Sequence, residues 1–378
     1  METLGKFFNN KTGLIVGGLI CGAFFALLAF FGNPANMAFC AACFIRDSAG
    51  AMKLHTAEVV QYFRPEIVGV VVGSFLIAIA SREFKSTGGS SPMTRFILGF
   101  IMMIGALIFL GCPLRMIIRM SAGDLNAWVG LVGFVLGIVT GTFFIKKGYS
   151  LGRDHETGKT SGSVLPIVLI ILLCVSIFGG VFAVSQSGPG SKHAPWAISL
   201  AAALIVGMIA QKSRICFAGG LRNAILMRDF DLLLPIVGMF LVMLVYSLAT
   251  GGFKLSFEGQ PIAHSQHLWN ILGLYAVGFG AVLAGGCPLR QMVMAGQGSC
   301  DAAVTFLGML IGAAFAHNFG LAGVAASAAT ADKAAVAGGP AQAGQIVLVA
   351  SIVVLFIIGF VNLQKQESVS SAPVAEVA

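Results

Sequence analysis

The segment Gly105-Ala-Leu-Ile-Phe-Leu-Gly-Cys-Pro-Leu-Arg115 returns as Gly280-Ala-Val-Leu-Ala-Gly-Gly-Cys-Pro-Leu-Arg290, so Cys112 and Cys287 stand 175 positions apart. Gly133 and Gly137 find Gly308 and Gly312 at the same offset. Upstream, Phe39-Cys40 with Arg46-Asp47 matches Ile215-Cys216 with Arg222-Asn223, and Pro65 with Gly69 resembles Pro235 with Gly238. Several features recurring in one order require two copies of one architecture, a constraint that precedes any motif reading.

Hydropathy says what each copy is made of. Hydrophobic residues make up 57% of the chain and charged residues 10%, against roughly 25% charged in a soluble domain. The excess apolar sequence must face lipid. Ten runs come near the length of roughly 20 apolar residues that spans a bilayer. They lie near Thr12–Phe31, Pro65–Ala80, Phe96–Gly111, Ala127–Ile145, Val164–Val184, Pro195–Ala210, Leu232–Ala249, Leu268–Gly285, Ala302–Leu321 and Gln342–Val361. The first, third, sixth and eighth are each followed by a Cys/Gly/Arg stretch. Such stretches suit half-helices or re-entrant loops, since irregular backbone at membrane depth must line a cavity or be buried in protein. The 49 glycines suit close helix packing in lipid. The expected fold is all-α: a polytopic membrane protein of about ten transmembrane helices.

Residues 1–150 form the first repeat, 151–190 hold a linking span, 191–325 form the second repeat, and 326–378 add a last span and a tail. Each repeat has four spans and one span separates them. That odd count turns the second copy upside down, giving inverted-topology repeats. The tail Lys365–Ala378 is polar and small, and reads as disordered. The N-terminus lacks a cleavable signal pattern and reads as a retained first helix. Lys and Arg favour one set of loops over the other, which predicts both termini in the cytoplasm. The net charge of +8 belongs to this loop bias. No basic run with interleaved aromatics points to nucleic acid.

The repeats duplicate cysteines beside cations. Pro113 and Pro288 fit the first turn of a helix, which puts Cys112 and Cys287 at the N-cap, before free N–H groups and the positive end of the dipole. Arg115 and Arg290 add a cation one turn on. Cys216 lies between Arg214 and Arg222, ahead of Gly219-Gly220. Its counterpart is Cys40, with Cys43 as an alternative and Arg46 matching Arg222. Asp124 and Asp301 either balance Arg115 and Arg290 or cap the next helices, capping being the favoured role. Cys21 and Cys174 read as packing residues, and His317 as a hydrogen-bonded core histidine. No Cys/His metal spacing and no phosphate-binding Gly-x4-Gly-Lys-Ser/Thr loop occurs, so neither metal, other cofactor nor nucleotide is expected.

From roughly Gly13 to Gly320 the chain resembles the YeeE/YedE family of bacterial sulfur-compound membrane transporters. Arg214-Ile-Cys-Phe-Ala-Gly-Gly-Leu-Arg222 is similar to that family's Arg-x-Cys-x-x-Gly-Gly-x-Arg pattern, and Gly111-Cys112 and Gly286-Cys287 to its Gly-Cys motifs. The resemblance implies a multi-pass protein of the bacterial inner membrane, with inverted repeats and short half-helices, that takes up thiosulfate along a cysteine-lined path. By position, Cys40, Cys112 and Cys287 would form the relay, with Cys216 a fourth member and a cytoplasmic TusA-like carrier the partner. Pro-Leu-Arg after both Gly-Cys pairs, and Cys40-Ala-Ala-Cys43 without a Gly pair, depart from thiosulfate members. They resemble the branch called YedE-like selenium metabolism membrane proteins. Uptake of a selenium species is therefore the expected function, with thiosulfate or another sulfur compound as the alternative. A membrane thiol sulfurtransferase or oxidoreductase using Cys40 and Cys43 is the reading from another class.

Overall fold

A computed structural model describes residues 7–8, 10–34, 36–327 and 336–364. The tail reading for Lys365–Ala378 lies outside the described residues. Among those described, the first run of helices is α1 (Lys11–Phe30), α2 (Ala41–Ala51), α3 (Pro65–Ala80), α4 (Pro92–Phe109), α5 (Pro113–Ser121) and α6 (Leu125–Lys146). The linking helix is α7 (Lys159–Phe178). The second run is α8 (Trp196–Lys212), α9 (Phe217–Met227), α10 (Leu234–Ala249), α11 (His267–Leu283), α12 (Pro288–Gly296) and α13 (Cys300–Asn318), and α14 (Gln342–Val361) closes the chain. The only sheet among the described residues pairs β1 (Thr87–Gly88) with β2 (His155–Glu156), antiparallel. Among the described residues, ten segments are long and apolar enough to cross a membrane, in register with the ten runs read from hydropathy. The fold is an all-α polytopic membrane protein.

The short helices α2, α5, α9 and α12 stand where the Cys/Gly/Arg stretches predict them. Their starts have local causes. Helix α4 stops at Leu110, whose φ of 64° is left-handed. Three residues later Pro113 opens α5 with Cys112 as N-cap. Helix α11 ends the same way: Gly285 takes a φ of +83°, and Pro288 opens α12 behind Cys287. Proline at the first helical position gives up only an N–H that has no partner inside the helix.

Helices of one run pack chiefly on helices of the other, and every such contact has its mirror. Helix α6 packs on α11, and α13 on α4. Helix α3 packs on α8, and α10 on α1. The short helices repeat the exchange: α12 on α3 and α5 on α10, α2 on α13 and α9 on α6. The main pairs run parallel: Gly69 meets Leu200 and Ala203 while Gly73 meets Leu204, and Gly18 meets Pro235 while Gly22 meets Met239. Parallel packing between non-equivalent helices is what two inverted copies produce, because successive spans reverse direction.

Helices α4 and α11 cross each other at the centre, antiparallel. A Cβ on Gly105 would come 2.5 Å from Gly273 O, so only glycine admits this approach. Arg95 at the start of α4 donates to Ala284 O past the end of α11 (3.2 Å), while His264 ahead of α11 is hydrogen-bonded to Ile108 O near the end of α4 (2.8 Å). The core gathers around this crossing, whereas α7 and α14 turn apolar residues such as Ile167, Ile171, Val353 and Ile357 outward. Such faces suit lipid. Cys174 on α7 is exposed while Cys21 on α1 is buried, so the packing role read for both holds within this chain only for Cys21.

Candidate functional site

All four repeated cysteines cap short helices. Cys40 caps α2 and its sulfur accepts from Cys43 N (3.3 Å). Cys216 caps α9 and accepts from Gly219 N (3.1 Å). Cys112 and Cys287 cap α5 and α12 without using their side chains as the cap, which leaves those sulfurs free to meet the other pair. Cys40 Sγ lies 3.7 Å from Cys112 Sγ. In the second run the Cys216 thiol lies beside Cys287. Each copy thus builds one two-thiol centre from two helix N-termini, where unpaired N–H groups favour a negative charge. All four thiols are buried.

Cys112 follows the C-terminal end of α4, and Cys287 follows that of α11. These two helices run antiparallel, so the chain reaches the two centres from opposite directions, while the capped helices also touch, α5 on α9 and α2 on α12. Two cavities open near these segments, though no cysteine among the described residues lines either. One, of about 410 Å³, is lined by Arg46, Leu110, Ile262 and His317 among others. The other, of about 360 Å³, is lined by Arg82, Lys85, Lys212, Arg214 and Arg290 with Glu83 and two glutamines. These are the two ends of α3. Its N-cap Arg64 donates to Pro189 O (3.1 Å), and Pro189 lines the first cavity. Arg82 and Glu83, in the second cavity, follow its C-terminus.

The two motif arginines differ. Arg115 is fully buried. Its Nε donates to Asn36 O (2.8 Å), Nη2 to Ile262 O (3.1 Å), Nη1 to Leu110 O, and Nη1 also meets Cys43 Sγ at 3.6 Å. It straps three chain segments beside the first thiol centre. Arg290 is only partly covered and reaches the second cavity. Among the described residues its Nη1 is buried without a hydrogen-bond partner. Cys43, the alternative thiol, therefore touches Arg115, while Cys40 touches Cys112.

The secondary candidates separate as well. Asp124 caps α6, accepting from Asn126 N (2.9 Å), and pairs with Arg119 (2.6 Å) rather than Arg115. Asp301 is not the cap of α13. Ser299 is, while Asp301 accepts from Gly89 N (3.0 Å) and Ser90 N (3.2 Å) and pairs with Arg95 (3.4 Å). The reason is local: Ser299 precedes the helix and Asp301 already lies in its first turn. Arg46 pairs with Asp47 (2.6 Å), and Arg222 donates to Asn223 Oδ1 (3.1 Å). His317 stacks on His55 at 4.8 Å. Its Nε2 has no hydrogen-bond partner among the described residues, so it is not the hydrogen-bonded core histidine expected.

Sequence reading missed Arg64, which joins Asp47 (2.8 Å) and completes a buried Arg46–Asp47–Arg64 triad. It also missed the Arg119–Asp124 pair and Glu83. The adjacent Arg46-Asp47 and the Arg-x3-Arg spacing of Arg115 and Arg119 are the signals that could have found the first two. Buried charges require partners, so an unpaired arginine in an apolar run calls for a nearby carboxylate.

No curated protein matches the chain. The family model described as sulphur transport matches residues 1–140 and 212–377, which include both thiol centres. The unmatched stretch 141–211 holds α7 and nearly all of α8. With ten membrane-length apolar segments and a match over most of its length, the chain belongs to the YeeE/YedE family of sulphur transport proteins.

Proposed function

We propose that the protein takes up a small chalcogen compound, a selenium species in preference to thiosulfate, along a path joining its two thiol centres. The observation that carries this reading is the pair of buried centres, each made of two N-capping cysteines and an arginine, one following the C-terminal end of α4 and the other that of the antiparallel α11. Helix N-termini and guanidinium groups attract an oxyanion. Thiols are weak donors, so they hold a sulfur- or selenium-rich solute without trapping it. The choice of selenium rests on the duplicated Pro-Leu-Arg and its resemblance to the selenium branch.

Residues 1–150 and 191–325 act here as two inverted copies related by an axis in the membrane plane, with 151–190 between them and 326–378 as an addition. Ten crossings bring both ends of the chain to one side, the side of the cavity containing Arg290. We take that side as the cytoplasm of a bacterial cell, so the solute enters by Arg46 and Cys40–Cys112 and leaves by Cys216–Cys287 and Arg290. A TusA-like carrier is a fitting acceptor there. Reporter fusions after Ser191 should then read outside and fusions after Leu363 inside. The same side for both would refute the topology.

The deciding test is uptake of labelled selenite and thiosulfate, side by side, into proteoliposomes. Cys112→Ser and Cys287→Ser should each lower uptake to near background while the protein stays monodisperse. Uptake at the parental rate in both variants would sink the path. The 3.7 Å Cys40–Cys112 contact also supports the rival reading, a thiol sulfurtransferase. A persulfide trapped on either thiol during turnover would favour it over simple passage.

A further inference from the structure

The cavity at the C-terminal end of α3 gathers five cations, Arg82, Lys85, Lys212, Arg214 and Arg290, around one carboxylate, that of Glu83. They come from three distant stretches of the chain, so the concentration of charge is a product of the fold. Lys212 is buried and its Nζ stands 2.7 Å from Glu83 Oε1. Gln211 Nε2 donates to Glu83 Oε2 at 3.1 Å. Both carboxylate oxygens are therefore held, although the Glu83 side chain is 45% exposed. Arg290, deeper and next to the Cys216–Cys287 centre, keeps a buried Nη1 with no partner among the described residues.

An unsatisfied buried guanidinium nitrogen is costly, and its natural partner is an anion. The cavity offers room for one, at about 360 Å³. Glu83 carries the same chemistry as an incoming oxyanion, a delocalised negative charge on two oxygens, and already occupies two of the cavity's donors. We propose that this cavity is a binding site for small oxyanions and that Glu83 is a tethered competitor within it. When the solute arrives at Arg290, it displaces the Glu83 carboxylate from Lys212. When it leaves, the carboxylate returns. The competitor keeps the site weak, so the anion is released instead of accumulating in a strongly cationic pocket. The inference rests on the reading of the solute as an anion passing Cys287.

The site is testable by binding as well as by uptake. Purified full-length protein in phosphatidylcholine nanodiscs, free of anionic lipid, is titrated with labelled thiosulfate and labelled selenite, and phosphate serves as competitor. Glu83→Gln keeps a hydrogen-bonding side chain and removes the charge, so affinity should rise several-fold and export from preloaded vesicles should slow. Arg290→Gln removes the unpartnered donor, and affinity should fall about tenfold or more, as loss of a charge-assisted hydrogen bond implies. Displacement of both labels by phosphate at similar concentrations supports a general oxyanion site, whereas no displacement overturns that generality. Unchanged affinity in Arg290→Gln, with a monodisperse protein, overturns the site. Unchanged affinity in Glu83→Gln overturns the competitor. If Cys287→Ser abolishes uptake while both cavity variants behave as the parent, the thiol path stands and this inference fails alone. If Cys287→Ser also transports as the parent, the proposed function fails with it.

Discussion

Cys40 Sγ and Cys112 Sγ stand 3.7 Å apart, each at the N-cap of a different short helix. The contact joins α2 to α5 across a sequence distance of 72 residues. If the proposed path runs between the two sulfurs, a bond joining them closes it.

Mild oxidation of membranes with copper phenanthroline should therefore link Cys40 to Cys112 and bring uptake to near background. Dithiothreitol should restore it, and Cys112→Ser should escape the linkage. Mass spectrometry of the linked peptide together with unchanged uptake would show that the pair is off the path.

Arg115 and Arg290 occupy the same place in their motifs and should fail in different ways. Arg115→Ala leaves the carbonyls of Asn36, Leu110 and Ile262 without this donor, at roughly 1–3 kcal/mol for each group that stays buried and unsatisfied. The expected result is low abundance and a poor size-exclusion profile. Arg290→Ala removes no described protein contact of Nη1 and should leave abundance near the parental level while uptake falls about tenfold or more, the scale of a lost charged contact. Equal loss of abundance in both variants would contradict this division.

Asp47 binds Arg46 and Arg64 together inside the protein. Asp47→Ala strands two buried guanidinium groups, and breaking a buried ion pair from one side costs about 3–5 kcal/mol. Thermal unfolding in detergent should show a large loss of stability, with Asp47→Asn in between. If Asp47→Ala melts like the parent, the triad is not a structural tie.

The ten spans, the N-capping Cys112 and Cys287 and the short helices behind the repeated cysteines were legible because hydropathy, Cys-Pro order and repetition are local signals, whereas the caps made by Cys40 and Cys216, which no proline follows, were not. The role of Arg115 was not. Its motif matches that of Arg290, yet Asn36 and Ile262, which accept from its guanidinium, lie in loops 79 and 147 positions away. Likewise, repetition predicts two copies but not that α6 would pack on α11 instead of within its own copy. The partner of Glu83 was hidden for the same reason: Lys212 is 129 positions distant, and neither stretch repeats. Asp301 shows the finer limit, since a shift of two residues from Ser299 decided which side chain caps α13.

Gly105 and Gly280 are equivalent by repetition, and both face the α4–α11 crossing, but their neighbours differ. A Cβ on Gly105 would meet the backbone oxygen of Gly273 at 2.5 Å, with Val277 and Ala276 at 3.2 and 3.3 Å. A Cβ on Gly280 would meet Met102 Cγ at 2.9 Å, with the next atoms at 3.7 Å or beyond. Met102 Cγ can be moved by rotation of that one side chain about χ1, at a cost on the order of 0.5–1.5 kcal/mol for a displaced rotamer, whereas a helix backbone moves only with its whole helix. Gly105→Ala should therefore destabilise by about 1–3 kcal/mol, the range of overpacked cores. It should also shift the end of α4 that carries Leu110 and Cys112, so that uptake falls and copper phenanthroline links Cys40 to Cys112 less readily. Gly280→Ala should cost less, about 0.5–1.5 kcal/mol for one displaced rotamer, and should leave uptake near the parental rate. Thermal unfolding of the two variants in one detergent decides the matter, and equal melting shifts would show that the crossing is looser than these contacts require.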